Sequence, residues 1–213
     1  MTGFFITFEG GDGSGKSTQL ARIAARLEAL GHTPVLAREP GGTPFAEAAR
    51  QLLLDSDHRP VALAEVFLIE AARADLAAAV IAPALAAGRI VLCDRHADST
   101  LAYQGWGRGL DPGLLRAMSR AAAPGIVPDL TLLYDLDPEI GLARRAAAPG
   151  RGNRLDREPV EFHRRVRDGF LDLARAEPLR IVVLDATLDP ATLEARSWAA
   201  VEARLAGRPE RSL

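Results

Sequence analysis

The segment Gly10-Gly11-Asp12-Gly13-Ser14-Gly15-Lys16-Ser17, followed by Thr18, has the spacing G-x-x-x-x-G-K-[ST]. Glycines at this density let successive backbone N–H groups turn inward around an anion. A helix beginning at Lys16 would add its positive dipole end. Lysine then supplies a charge between the β- and γ-oxygens of a nucleoside triphosphate, and the Ser17 hydroxyl supplies a ligand for Mg²⁺. Lys16 stands out a second time: of 26 basic residues it is the only lysine, the rest being arginine. A position that keeps an ammonium in such a chain needs a compact point charge on a flexible stem. The same count excludes the Asn-Lys-x-Asp motif with which GTPases read guanine.

A second acidic Mg²⁺ ligand should end a neighbouring strand, and Asp94 after Arg-Ile-Val-Leu-Cys does so. Arg95 and His96 follow at once, then Asp98-Ser99-Thr100 and Tyr103-Gln104-Gly105. Groups leaving the carboxyl end of a strand face the crevice where open α/β sheets bind ligands. There the planar fork of Arg95 can grip an acceptor phosphate, and Tyr103 and Gln104 offer an aromatic face and an amide to a nucleoside. Arg73 lies in an almost continuously apolar helical stretch, where a charge needs a partner. The turn Arg38-Glu39-Pro40-Gly41-Gly42-Thr43 follows another strand and should reach the same sheet edge.

These groups need a frame, and the pattern around them supplies one. Short apolar runs at Phe4–Phe8, Pro34–Ala37, Ile90–Cys93, Leu130–Tyr134 and Ile181–Leu184 read as strands covered on both faces. Between them lie helical patterns over Lys16–Leu30, Phe45–Leu54, Val61–Ala87, Pro112–Ala122, Pro138–Ala147, Glu158–Ala176 and Pro190–Leu205. Strand and helix in alternation predict an α/β fold: a five-stranded parallel sheet with helices on both faces, in three layers. Pro83 predicts a kink or break in the long alanine-rich helix. The glycine- and arginine-rich segment within about 146–158 reads as a mobile loop. Residues 1–207 read as one domain, with a frayed tail at 208–213.

Composition narrows the function classes. Apolar residues make up 48% and charged residues 25%, which is globular rather than disordered. A net charge of −2 gives no basis for binding nucleic acid or an anionic membrane. The single cysteine, Cys93, fits a reducing, cytoplasmic compartment. No run is long and apolar enough to predict a membrane span.

Taken together, Phe8-Glu-Gly-Gly-Asp-Gly-Ser-Gly-Lys-Ser-Thr18, Arg38-Glu-Pro-Gly-Gly-Thr43, Ala71-Ala-Arg73, Asp94-Arg-His96 and Tyr103-Gln-Gly105 resemble bacterial thymidylate kinases, P-loop nucleoside monophosphate kinases. The resemblance covers nearly the whole chain in order and spacing. It implies transfer of the γ-phosphoryl of ATP to dTMP, with Mg²⁺, by a homodimer. It further implies that Asp12 sits near the dTMP 3′-hydroxyl and helps organise the metal. Arg95 would hold the dTMP phosphate and Arg73 the thymine edge, while Ser99, Tyr103 and Gln104 line the pocket with Arg38 and Pro40. No arginine lies between Gly10 and Gly15, so Arg151 or Arg154 of the loop, which resembles the family's LID, should supply the catalytic guanidinium. One position departs: Ile69 stands where family members commonly stack a phenylalanine on the base. Phe67 lies about 200° away around a helix and cannot substitute. The alternatives are a kinase for another monophosphate, such as dUMP or CMP, and an ATP-dependent regulatory switch.

Overall fold

Strand β1, Phe4–Glu9, is buried along its whole length, and its alternation serves two layers at once. Phe4, Ile6 and Phe8 point to the side covered by α1 (Lys16–Ala29) and α9 (Pro190–Ala206), where Leu27, Trp198 and Val201 complete a core. Phe5 points the other way and packs on Leu76, Ala77 and Ile81. Full burial of each such side chain contributes about 1.5–3 kcal/mol, so this strand alone justifies helices on both faces.

The computed structural model describes residues 3–54, 59–147 and 153–206. Around β1 lie β2 (Val35–Arg38), β3 (Ile90–Asp94), β4 (Leu130–Asp135) and β5 (Ile181–Asp185), in spatial order β2-β3-β1-β4-β5. Every pair is parallel, as predicted. The register sets Phe8 and Arg38 beside Asp94, so the functional segments after β1, β2 and β3 emerge at one edge. The second face is covered by α3 (Ala62–Leu76), α4 (Ala82–Ala86) and α8 (Val160–Ala176), with Val66, Phe170 and Leu173 in one cluster. The remaining longer helices are α2 (Pro44–Leu54), α6 (Pro112–Ala122) and α7 (Pro138–Ala147). Among the described residues no helix is long and apolar enough to cross a membrane.

Two helical stretches depart from the expectation. The helix expected over Val61–Ala87 is divided by a π-helical segment, Ala77–Ile81, in which the Ala82 N–H bonds the Ala77 carbonyl. Widening the helix just before Pro83 accommodates a residue that has no N–H to give the α-helical ladder. Residues after Asp94 form a short helix, α5 (Ala97–Thr100), that continues as a π-helix over Leu101–Gly107. Asp98, Ser99, Thr100 and two glycines are poor helix formers, so their propensities hid it. Packing of Leu101, Ala102 and Tyr103 against α8 overrides them.

Candidate active site

The loop between β1 and α1 is held open by glycines that nothing else can replace. Gly10 has φ 136° and Gly13 has φ 75°, both left-handed. A Cβ on Gly10 would lie 2.4 Å from the Tyr134 carbonyl oxygen, and one on Gly13 would lie 2.1 Å from that of Gly141. Gly15 caps α1 without a side-chain hydrogen bond, leaving the first-turn N–H groups around Lys16, Ser17 and Thr18 to face the loop. Lys16 is buried, and its Nζ donates to the Gly11 carbonyl at 2.7 Å with Ser14 Oγ at 3.5 Å. Burial and the nearby Arg95 charge lower its ammonium to about 8. The cradle therefore holds one ammonium that an incoming phosphate would stabilise.

Ser17 and Asp94 meet at the mouth of this loop. Ser17 Oγ donates to Asp94 Oδ2 at 2.5 Å. A hydroxyl and a carboxylate, both hard oxygen donors facing solvent, fit Mg²⁺ that takes its other ligands from phosphate and water. Among the described residues no cluster of three or more His, Cys, Asp or Glu could hold a metal without such help. Asp12, the third expected ligand, is otherwise engaged: Oδ1 accepts from Arg95 and Oδ2 from the Tyr103 hydroxyl. Burial would raise its carboxyl, yet Arg95 and Lys16 hold it well below the ordinary range.

Arg95 joins the loop to the acceptor side. Nη1 donates to the Gly10 carbonyl and to Ser99 Oγ, both at 3.0 Å. Nη2 donates to Asp12 at 2.7 Å and to the Tyr103 hydroxyl at 3.2 Å. The guanidinium also lies over the Tyr103 ring. Despite desolvation, these neighbours push it above its usual value, so it stays charged.

Beside Arg95 opens a cavity whose lining includes Asp12, Pro40, Ile69, Arg73, Ser99, Tyr103 and Gln104. This brings together most of the predicted acceptor-side residues. Ile69 is buried there as an aliphatic wall, and Phe67 is exposed on the opposite side of α3, as the helical angle requires. Arg73 is clamped more tightly than expected. Nε and Nη2 both lie 2.8 Å from Glu39 Oε2, Nη1 donates to Glu70 and Ser119, and Nη2 donates to Thr100. Glu39 also meets His96 Nδ1 at 2.7 Å. Burial alone would raise Glu39, but Arg73 and His96 hold it at about 2. Gln104 Nε2 donates to Glu65.

Two expected residues are not brought into this cavity. Arg38 sits at the end of β2 on its exposed side and is paired with Glu47 instead. Arg154 is buried, donates to the Leu53 carbonyl and pairs with Glu65 at 2.8 Å. Its guanidinium ties this segment to α2 and α3 and does not reach the glycine loop. Arg151 lies outside the described residues, as does the tail at 208–213. Two arginines escaped the sequence reading. Arg50 of α2 lines the cavity and donates to the Pro40 carbonyl. Arg144 of α7 reaches the Gly13 and Ala186 carbonyls, at 3.5 and 3.2 Å. Only the helical phase of Arg50 after the Arg38–Thr43 turn could have pointed to it; Arg144 left no such signal.

With the glycine loop, the Ser17–Asp94 pair and the arginine-lined cavity adjoining, comparison with known proteins becomes specific. A family model described as thymidylate kinase matches residues 8–196. The chain belongs to the thymidylate kinase family. It is 54% identical over 202 residues to a thymidylate kinase of Deinococcus radiodurans, spanning 95% of this chain and 98% of that one. A thymidylate kinase of a Synechococcus strain is 52% identical, spanning 94% and 95%. The crystal structure of thymidylate kinase from Ehrlichia chaffeensis superimposes with a TM-score of 0.77 at 34% identity, covering 95% of this chain and 99% of that one. The five-stranded parallel sheet with flanking helices is thus the P-loop fold of this thymidylate kinase family.

Proposed function

We propose that this chain transfers the γ-phosphoryl of ATP to dTMP, giving ADP and dTDP, as a cytoplasmic Mg²⁺-dependent homodimer. The observation that carries the reading is Arg95, each of whose terminal nitrogens bonds one group of the glycine loop and one of the cavity: Nη1 reaches Gly10 and Ser99, and Nη2 reaches Asp12 and Tyr103. A single rigid group thereby fixes the distance between two phosphate sites. That spacing is what a direct transfer needs.

In this reading the glycine loop and Lys16 hold the β- and γ-phosphates, and Ser17 and Asp94 hold the metal. Mg²⁺, when bound, neutralises charge on the phosphate oxygens. Arg95, with Arg50 beside it, orients the acceptor phosphate, which is its own ionised nucleophile, so no side chain need take a proton. Asp12 and Tyr103 brace Arg95 and face the sugar, and Ile69 walls the base. Arg151 is the LID arginine proposed to reach the transferring group, worth about 10³–10⁵ in rate. The dimer reading rests on exposed apolar side chains of α2 and α3: Phe45, Leu52, Leu63 and Phe67.

The test is ADP release from ATP with dTMP, dUMP, CMP or no acceptor. Strong stimulation by dTMP alone supports the proposal. Equal hydrolysis under all four conditions would leave a nucleotide-dependent switch instead.

A further inference from the structure

We infer that Glu9 is a positioning residue for the acceptor phosphate, because its carboxyl fixes both the backbone turn at Arg95 and the hydroxyl that steers the Arg95 guanidinium. The inference rests on the proposed role of Arg95.

Alternation along β1 puts Glu9 on the face shared with Phe5 and Thr7, towards β3 and α5 rather than towards α1. It is fully buried at the edge where the cradle begins. Its Oε1 accepts the His96 N–H at 2.7 Å, and its Oε2 lies 2.5 Å from Ser99 Oγ. The residue just before His96, Arg95, has φ 72°, and no other described residue except glycine has positive φ. L-residues rarely enter this region unless the surroundings impose it. Here two consecutive β1 residues impose it together. The Phe8 carbonyl takes the Arg95 N–H at 3.0 Å, and the Glu9 carboxyl takes the next one. The same carboxyl holds Ser99, whose Oγ receives Arg95 Nη1. One side chain therefore sets the Cα–Cβ direction of Arg95 and the far end of its guanidinium.

What Glu9 offers is length and hydrogen-bonding shape rather than charge. Burial, and then the charge of Asp98, push its carboxyl up to about 8. Oε1 accepts from the His96 N–H and Oε2 from the Ser99 hydroxyl, and an amide of equal length keeps both partners in reach, its oxygen accepting from His96 and its N–H donating to Ser99 Oγ.

The rank of two variants tests this. Glu9→Gln keeps reach and both bonds, so its KM for dTMP stays within about threefold of wild type. Glu9→Asp keeps the acid but falls one methylene short, so its KM for dTMP rises about 10- to 100-fold while the KM for ATP moves less than about threefold. A role in charge or simple packing predicts the reverse order, or equal changes for both substrates; either result overturns the inference. Should Glu9→Asp fail to fold, a tenfold rise in the dTMP KM of folded Glu9→Gln overturns it alone. Wild-type protein that ignores dTMP removes the proposed reaction itself, whereas a dTMP response with both variants unchanged removes only the role of Glu9.

Discussion

Ser17 Oγ and Asp94 Oδ2 stand 2.5 Å apart although 77 positions separate them in sequence. Parallel pairing of β1 with β3 sets Phe8 beside Asp94, and the loop after β1 returns into α1 above that edge. Asp94→Asn keeps the hydrogen bond and removes the charge. The expected result is a Mg²⁺ requirement raised about 10- to 100-fold, by analogy with the loss of a carboxylate that supports a metal. A magnesium titration of activity checks it; an unchanged half-saturating concentration would remove Asp94 from the site.

The free protein should lose ATP-dependent activity in mild alkali. Lys16 acts as an ammonium, and burial with Arg95 lowers it to about 8. A lowered cation is fully charged below that value and neutral above it. The kcat/KM for ATP is therefore predicted to be flat to about pH 7 and to fall through pH 8 with a single-proton slope, since this ratio reports groups of the free enzyme. Glu9 titrates in the same range, so the profile is repeated in Glu9→Gln, where the limb should persist.

Ile69→Phe should tighten the acceptor site. Ile69 forms a buried wall of the cavity, where a ring could lie against a base. An aromatic contact contributes about 0.5–1.5 kcal/mol beyond area, or roughly 2- to 12-fold in Kd for dTMP by calorimetry. Weaker binding would show that the pocket cannot admit the larger side chain.

Arg73→Met should be costly to the fold. Arg73 is almost wholly buried between Glu39 and Glu70. Removing it leaves both buried carboxylates without their guanidinium partner, a loss of about 3–5 kcal/mol. Glu39 is held at about 2 from an ordinary 4.5, so its contribution is complete above pH 4.5 and disappears as pH falls towards 2. Thermal melts across acid pH should show the wild type converging on the variant; parallel curves would refute the pairing.

Arg154→Ala should act on stability before catalysis. Its partner Glu65 is buried and would keep Arg108 and the neutral Gln104 amide, so a Tm lowered by several degrees is expected. An unchanged Tm with a collapsed kcat would return Arg154 to the catalytic role that the LID resemblance suggested.

The contrast between Lys16 and Arg154 shows what was legible. The cradle could be read because its chemistry is local: glycine spacing, one lysine and a following hydroxyl occupy successive positions on one turn. The parallel sheet could be read because strands buried on both faces are apolar without alternation. The segment Ala97–Gly107 could not, since its residues disfavour helix and only packing against α8 makes one.

By itself the sequence determined the glycine loop, the sheet and the family, since each is written in short-range spacing and burial pattern. Tertiary structure alone decided which arginines line the cavity and the glycine loop. Arg154 meets the Leu53 carbonyl across 101 positions, Arg38 turns out to Glu47, and Arg50 and Arg144 turn in. A guanidinium goes where acceptors are, and the positions of acceptors distant in sequence exist only once the chain has folded.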